Sequence, residues 1–149
     1  MKVRHGFVTN SSSSSFILCF QSKDSILKEL AKENLTSEEL GLLVQSITGG
    51  TGMTREQVQE YVALELRGDI EYLRWNDNRQ KGIQSDWDAP LEGEWKAEHE
   101  RRVKAVMDRI PTDVYSVQIE ESDNSMPGNV LEHEILPRLS VTKAIFSHH

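Results

Sequence analysis

The sequence predicts an α+β domain: a small sheet of about three strands, with helices inserted between strands 1 and 2 and packed on it. Three observations predict it. Phe16-Ile17-Leu18-Cys19-Phe20 is apolar at every position, the pattern of a strand covered on both faces and central in its sheet. Residues 22–110 carry apolar stripes at helical spacing. Residues 114–120 and 141–146 then return to strand patterns.

The elements follow in order. Ser22 or Asp24 can cap a helix whose stripe is Ile26, Leu27, Leu30 and Ala31. Thr36-Ser37-Glu38-Glu39 is a capping box. Behind it Leu40, Leu43, Val44 and Ile47 fall at i, i+3, i+4 and i+7, with Gly49 available to end the helix. Gly49-Gly50-Thr51-Gly52 reads as punctuation between two helices. It is not a phosphate loop, because no Gly-Lys-Ser/Thr follows it and no strand precedes it. Thr54 with Gln57 opens a third helix along Val58, Tyr61, Val62 and Leu66, continuing past Gly68 through Ile70, Leu73 and Trp75.

Residues 76–90 show no period and read as a loop. After Pro90 a long helix is expected to about Ile110, with Trp95, His99, Val103, Val106, Met107 and Ile110 on one face and Pro111 ending it. Tyr115, Val117 and Ile119 then alternate with Ser116, Gln118 and Glu120 in a second strand. An acidic turn, Glu121-Ser122-Asp123-Asn124-Ser125, closes at Pro127-Gly128. A short helical turn over 131–136 and a third strand over 141–146 complete the chain. We read 1–149 as one domain: a serine-rich leader and first strand (1–21), a helical middle (22–110) and C-terminal strands (111–149).

The formal net charge of −7 argues against nucleic acid, whose backbone is bound by clustered Lys and Arg. An acidic surface suits a basic protein patch or a cation. The single cysteine, Cys19, lies inside the apolar strand and reads as a small hydrophobe. One cysteine builds no disulfide framework, which fits a reducing cytoplasm. Lys2 and Arg4 make the start basic, but the serines break any export core, and Phe16 to Phe20 is too short to span a membrane. The expectation is a cytoplasmic protein with no membrane segment.

Two ends of the chain carry the candidate chemistry. Asn10 and five serines (Ser11, Ser12, Ser13, Ser14 and Ser15) form a hydroxyl-rich loop feeding the first strand. Their hydroxyl and N–H groups can donate to a small anionic or polar ligand. At the other end stand His148 and His149, adjacent residues that point to opposite faces of an ideal strand. Together with His133 and Asp123 they offer a donor set for a divalent metal such as zinc, although no pair has the spacing of a recognised metal motif.

Other features read more plainly. His99, one turn from Trp95 and from Val103, reads as a core or boundary histidine. Asp86, Asp88, Glu92, Glu94, Glu98 and Glu100 read as a solvated face. A second cluster, Glu120, Glu121, Asp123, Glu132 and Glu134, surrounds the turn nearest His133, where Asp123 and Glu121 could ligate a cation or act as a base. No carboxylate pair has a spacing that identifies a hydrolase.

The opening Gly6-Phe7-Val8-Thr9-Asn10, the serine run and Phe16 resemble a group of small bacterial and phage-encoded proteins that begin with a Gly-Phe-Val-Ser-Asn-Ser-Ser-Ser-Ser-Ser-Phe signature. Thr9 stands where that signature has serine. Ser122-Asp123-Asn124, Leu131-Glu132-His133 and Ser147-His148-His149 are similar to further steps found in some of its members. The resemblance implies no activity; it points to the residues the chemistry singles out. Three functions remain open on the sequence: a module binding a small ligand or a protein, a metal-assisted hydrolase using His133 or Asp123, and a structural domain whose serines only pack and cap.

Overall fold

The computed structural model describes residues 13–122 and 129–148, with side chains for 14–121 and 129–146. Among them lie four strands and four α-helices, joined by short 3-10 and π-helical turns. The strands are β1 (Ser13–Phe20), β2 (Thr51–Met53), β3 (Tyr115–Ser122) and β4 (Lys143–His148); the helices are α1 (Ile26–Leu30), α2 (Ser37–Thr48), α3 (Arg55–Gln80) and α4 (Gly93–Met107). The sheet is antiparallel throughout, in the order β2-β3-β1-β4. The α+β class and the central place of the first strand are as the sequence predicts. Packing divides the chain into two compact units, residues 1–54 with 112–149 and residues 55–111. The helical middle expected over 22–110 is shared between them.

The sheet unit is built on β1. Phe16, Leu18 and Phe20 on one pleat face join Val117 and Ile119 of β3, Leu30, Leu43, Leu131, Ile135, Leu136 and Leu139 in one buried cluster. Helix α2 starts where its capping box requires. Glu39 N–H donates to Thr36 Oγ1 at 3.1 Å, and Thr36 N–H donates to Glu39 Oε1 at 3.0 Å. The first of these contacts to act on its charge, the Thr36 N–H bond, holds the Glu39 carboxyl below the ordinary carboxylate range, and the Arg138 guanidinium adds to it. Arg138 also donates to Glu134 O at 2.7 Å and Asn34 O at 3.2 Å, tying the turn before β4 to the loop before α2.

Four expectations are corrected in this unit. A fourth strand, β2, lies where helix-to-helix punctuation was expected, pairing Thr51, Gly52 and Met53 with Gln118, Val117 and Ser116. Ser13 to Ser15 are strand rather than loop, because β1 is paired on both sides over their length; ladder pairing overrides the turn preference of serine. Segment 22–31 is a 3-10 turn, Lys23–Ser25, followed by the five-residue α1. The tighter turn rotates the stripe, so Leu30 is buried while Leu27 is 64% exposed. The third correction to an element's length is β1 itself, eight residues rather than five.

In the second unit α3 runs 26 residues, through Asn76 to Gln80 where a loop was expected. Its last turn is held from several sides. Asp77 pairs with Lys81 at 2.9 Å, and Trp75 stacks on Trp87 at 6.0 Å with Arg79 over its ring. Arg74 donates to three loop carbonyls, those of Asp86, Ala89 and Pro90. Gly82, at φ +71°, ends the helix. Its N–H reaches Arg79 O at 3.2 Å and the next, Ile83 N–H, reaches Asn78 O at 2.8 Å, the paired bonds of a Schellman stop.

Helix α4 ends at Met107, three residues before the expected limit, and turns through i→i+3 bonds to Pro111. Arg55 caps that end from the start of α3, donating to Met107 O, Ile110 O and Pro111 O at 2.9–3.2 Å. His99 is a half-buried boundary residue whose Nε2–H donates to Ala63 O at 2.8 Å, as its spacing suggested.

Candidate functional site

The sheet's register brings the candidate segments to one end of it. Ser13 is the partner of Ser122 on β3 and of His148 on β4. Ser14 is correspondingly opposite Glu121 and Ser147. The backbones of the serine run, the approach to the acidic turn and the approach to the terminal histidines therefore meet across adjacent strands, about 5 Å apart from one strand to the next. Asn10, Ser11, Ser12, Asp123 and His149 lie outside the described residues.

What the described side chains do there is specific. Ser14 has the parity of Phe16, Leu18 and Phe20, the pleat face on which Leu131 and Ile135 pack. Although polar, it is 1% exposed, and its hydroxyl donates to the Glu132 carboxylate Oε1. Glu132 stands on a π-helical turn, Leu131–Ile135, whose first and last residues are fully buried. That turn anchors Glu132 with its side chain 9% exposed, while the next residue, His133, is 56% exposed. His133 Nε2 lies 3.8 Å from Glu132 Oε2. Ser15, of opposite parity, is buried on the other side of the strand.

The order of these groups decides what chemistry they suit. Glu132 lies between the hydroxyl and the imidazole, so His133 is not placed to take the Ser14 proton. A nucleophile also needs access, and Ser14 has almost none. The described cluster is therefore arranged for binding rather than for serine-based hydrolysis. Since Ser14 already donates to Glu132, this end presents acceptors rather than donors. Among the described residues no group of three or more His, Cys, Asp or Glu side chains is placed to hold a metal.

Beside this end lies a groove of about 430 Å³ between the C-terminus of α2 and β3, lined by Gln45, Ser46, Thr51, Gln118, Glu120 and Glu121 among others. Two of its walls, Glu120 and Glu121, are the cross-strand partners of Ser15 and Ser14. Sequence reasoning named Glu132 only as one of several acidic residues near the turn. Its place in the site comes from a contact 118 residues distant in sequence. The one local signal was its neighbourhood: a carboxylate and an imidazole set between apolar Leu131 and Ile135.

The first acidic cluster is the solvated face expected of it. In it Glu98 bridges Arg101 at 2.5 Å and Arg102 at 2.7 Å. Hydrogen bonds from Arg101 first, then from Arg102, bring its pKa from 4.5 to about 2. A depressed carboxyl binds protons more readily unfolded than folded. Its contribution is thus complete above pH 4.5 and is lost as pH falls from there toward 2. In a carboxyl NMR titration Glu98 is expected to inflect near pH 2, and to move toward 4.5 when Arg101 and Arg102 are both replaced by alanine. An ordinary inflection in the unaltered protein would show that the bridges do not persist in solution.

No helix among the described residues is long and apolar enough to cross a membrane. No family model matches the chain, and no curated protein or solved structure is found similar to it.

Proposed function

We propose that this chain is a cytoplasmic binding module that holds a small polar ligand at the serine-bearing end of its sheet. The observation that carries the reading is the Ser14–Glu132 hydrogen bond, made by two buried polar side chains beside the exposed His133. Burying a hydroxyl and a carboxylate together is costly unless they are paired, and here the pair also fixes the carboxylate at the rim of the sheet. The strand register supports the same place, since the strand ends carrying Ser13, Ser122 and His148 converge there. The acceptor-rich character of the described groups favours a neutral or cationic ligand over an anionic one. In this reading the remaining serines and Asn10 supply donors, and Asp123, His148 and His149 complete the polar rim.

Amide chemical-shift mapping tests it. Small polyols, amides and amines are titrated into labelled full-length protein, with inorganic phosphate and citrate as anionic controls. Shifts are expected to cluster on Ser13 to Ser15, Glu132, His133, Ser147 and His148, and to be weak with the anions. Shifts from none of these probes, or shifts gathered on another surface, overturn the reading.

A further inference from the structure

We infer that this end takes a divalent first-row transition cation, Zn²⁺ being the representative case, chelated by Glu132 Oε2 and His133 Nε2; the inference rests on the binding-module reading and names its ligand class. The spacing is the first argument. At 3.8 Å the two atoms are too far apart for a hydrogen bond. Two donors on one zinc ion, each at about 2.0–2.2 Å and at a tetrahedral angle, stand about 3.4 Å apart. A few tenths of an ångström of side-chain rotation closes the difference, and His133 has the exposure to make it.

The rest of the cluster has the parts such a site needs. Ser14 donates to the carboxylate's other oxygen, Oε1, and so sets the plane in which Oε2 is presented. This is the role outer-shell groups play around metal-bound carboxylates. The deep carboxylate and the solvent-facing imidazole give an anchored ligand and an entry path in adjacent residues. Both stand on a π-helical turn, a rare local structure that recurs at functional sites, pinned at each end by buried Leu131 and Ile135. Glu121, across from Ser14, and the net charge of −7 add a potential that attracts cations. With two described protein donors, water fills the other positions and the ion stays exchangeable.

Calorimetry of untagged, metal-free, full-length protein against ZnCl₂ tests this, with Co²⁺ absorption as a second readout. One equivalent is expected to bind. His133→Gln and Glu132→Gln should each weaken binding by about ten-fold or more, and Ser14→Ala should weaken it through the freed carboxylate. Affinity should fall steeply below about pH 6 as the imidazole protonates. His133 is exposed, so His133→Gln should melt at the same temperature as the unaltered protein, and its result stands even if Glu132→Gln fails to fold. No stoichiometric binding overturns the inference. So does binding that survives both substitutions and is carried instead by His148 and His149. If zinc fails while polar probes still shift the amides of the sheet end, the cation inference falls and the binding module stands; if neither binds, both fall.

Discussion

Phe16→Ala is expected to destabilise the sheet unit by about 3–5 kcal/mol, a large share of the roughly 5–15 kcal/mol that holds a domain of this size folded. The magnitude follows from where the ring sits. Phe16 is 0% exposed on the central strand, between Ile119 on β3 and Ile145 on β4, and belongs to the cluster that joins the sheet to α1, α2 and the π turn. Removing the ring forfeits its transfer free energy and leaves a cavity that two flanking strands and the covering helices keep from collapsing. Ile145 provides the control. It is Phe16's register partner but lies on the edge strand at 39% exposed, so Ile145→Ala should cost far less.

The three tryptophans, Trp75, Trp87 and Trp95, all lie in the unit 55–111, so their fluorescence is a poor reporter for β1. Native-state amide exchange of β1 is the better readout. Protection there should drop by about two to three decades in Phe16→Ala, at about 1.4 kcal/mol per decade. A drop of less than one decade would mean that the cluster around β1 is not what holds the sheet together.

What the sequence made legible was local or uniformly patterned. The Thr36–Glu39 capping box needs only residues three apart, and it forms as read. The unbroken apolar run of β1 announces an interior strand because only a doubly covered strand tolerates it. The elements misread are those whose conformation is set by distant partners. Asn76, Asp77 and Asn78 look like loop, yet the Asp77–Lys81 pair, the Trp75–Trp87 stack and Arg74's grip on three carbonyls keep them helical. Propensity is a weak prior once such contacts exist.

The site divides the same way. That the serines and the terminal histidines are chemically interesting is visible in composition alone. That Ser14, and not its neighbour Ser15, faces Glu132 depends on pleat parity, and parity depends on a register set by β3 and β4. The sequence likewise offered the serine hydroxyls as donors to a ligand. In the fold, one of those donors is used internally, on a carboxylate, and the ligand chemistry shifts from anion toward cation.

Gly50→Ala is expected to be the second most damaging single change, and it tests the element least visible in the sequence. A Cβ at Gly50 would stand 2.7 Å from Gln118 O, 2.9 Å from Val117 Cγ1 and 3.2 Å from Ile47 O. Two of those atoms are backbone, one in β3 and one in the last turn of α2, so neither can step aside without dismantling the element that holds it. The expected cost is that of overpacking, about 1–3 kcal/mol, or a fall in melting temperature of roughly 3–10 °C, with loss of the β2–β3 pairing. Gly52→Ala separates this from a general intolerance of side chains in β2. Its Cβ would meet the Tyr115 phenol, which can swing away, so the cost should be smaller. The contrast follows from a strand laid against β3. If Gly49-Gly50-Thr51-Gly52 merely linked two helices, Gly50→Ala would be neutral or slightly stabilising, because alanine restricts the unfolded chain more than glycine does. A Gly50→Ala protein as stable as the original would therefore remove β2 from the sheet, and with it the wall that closes the groove beside Glu120 and Glu121.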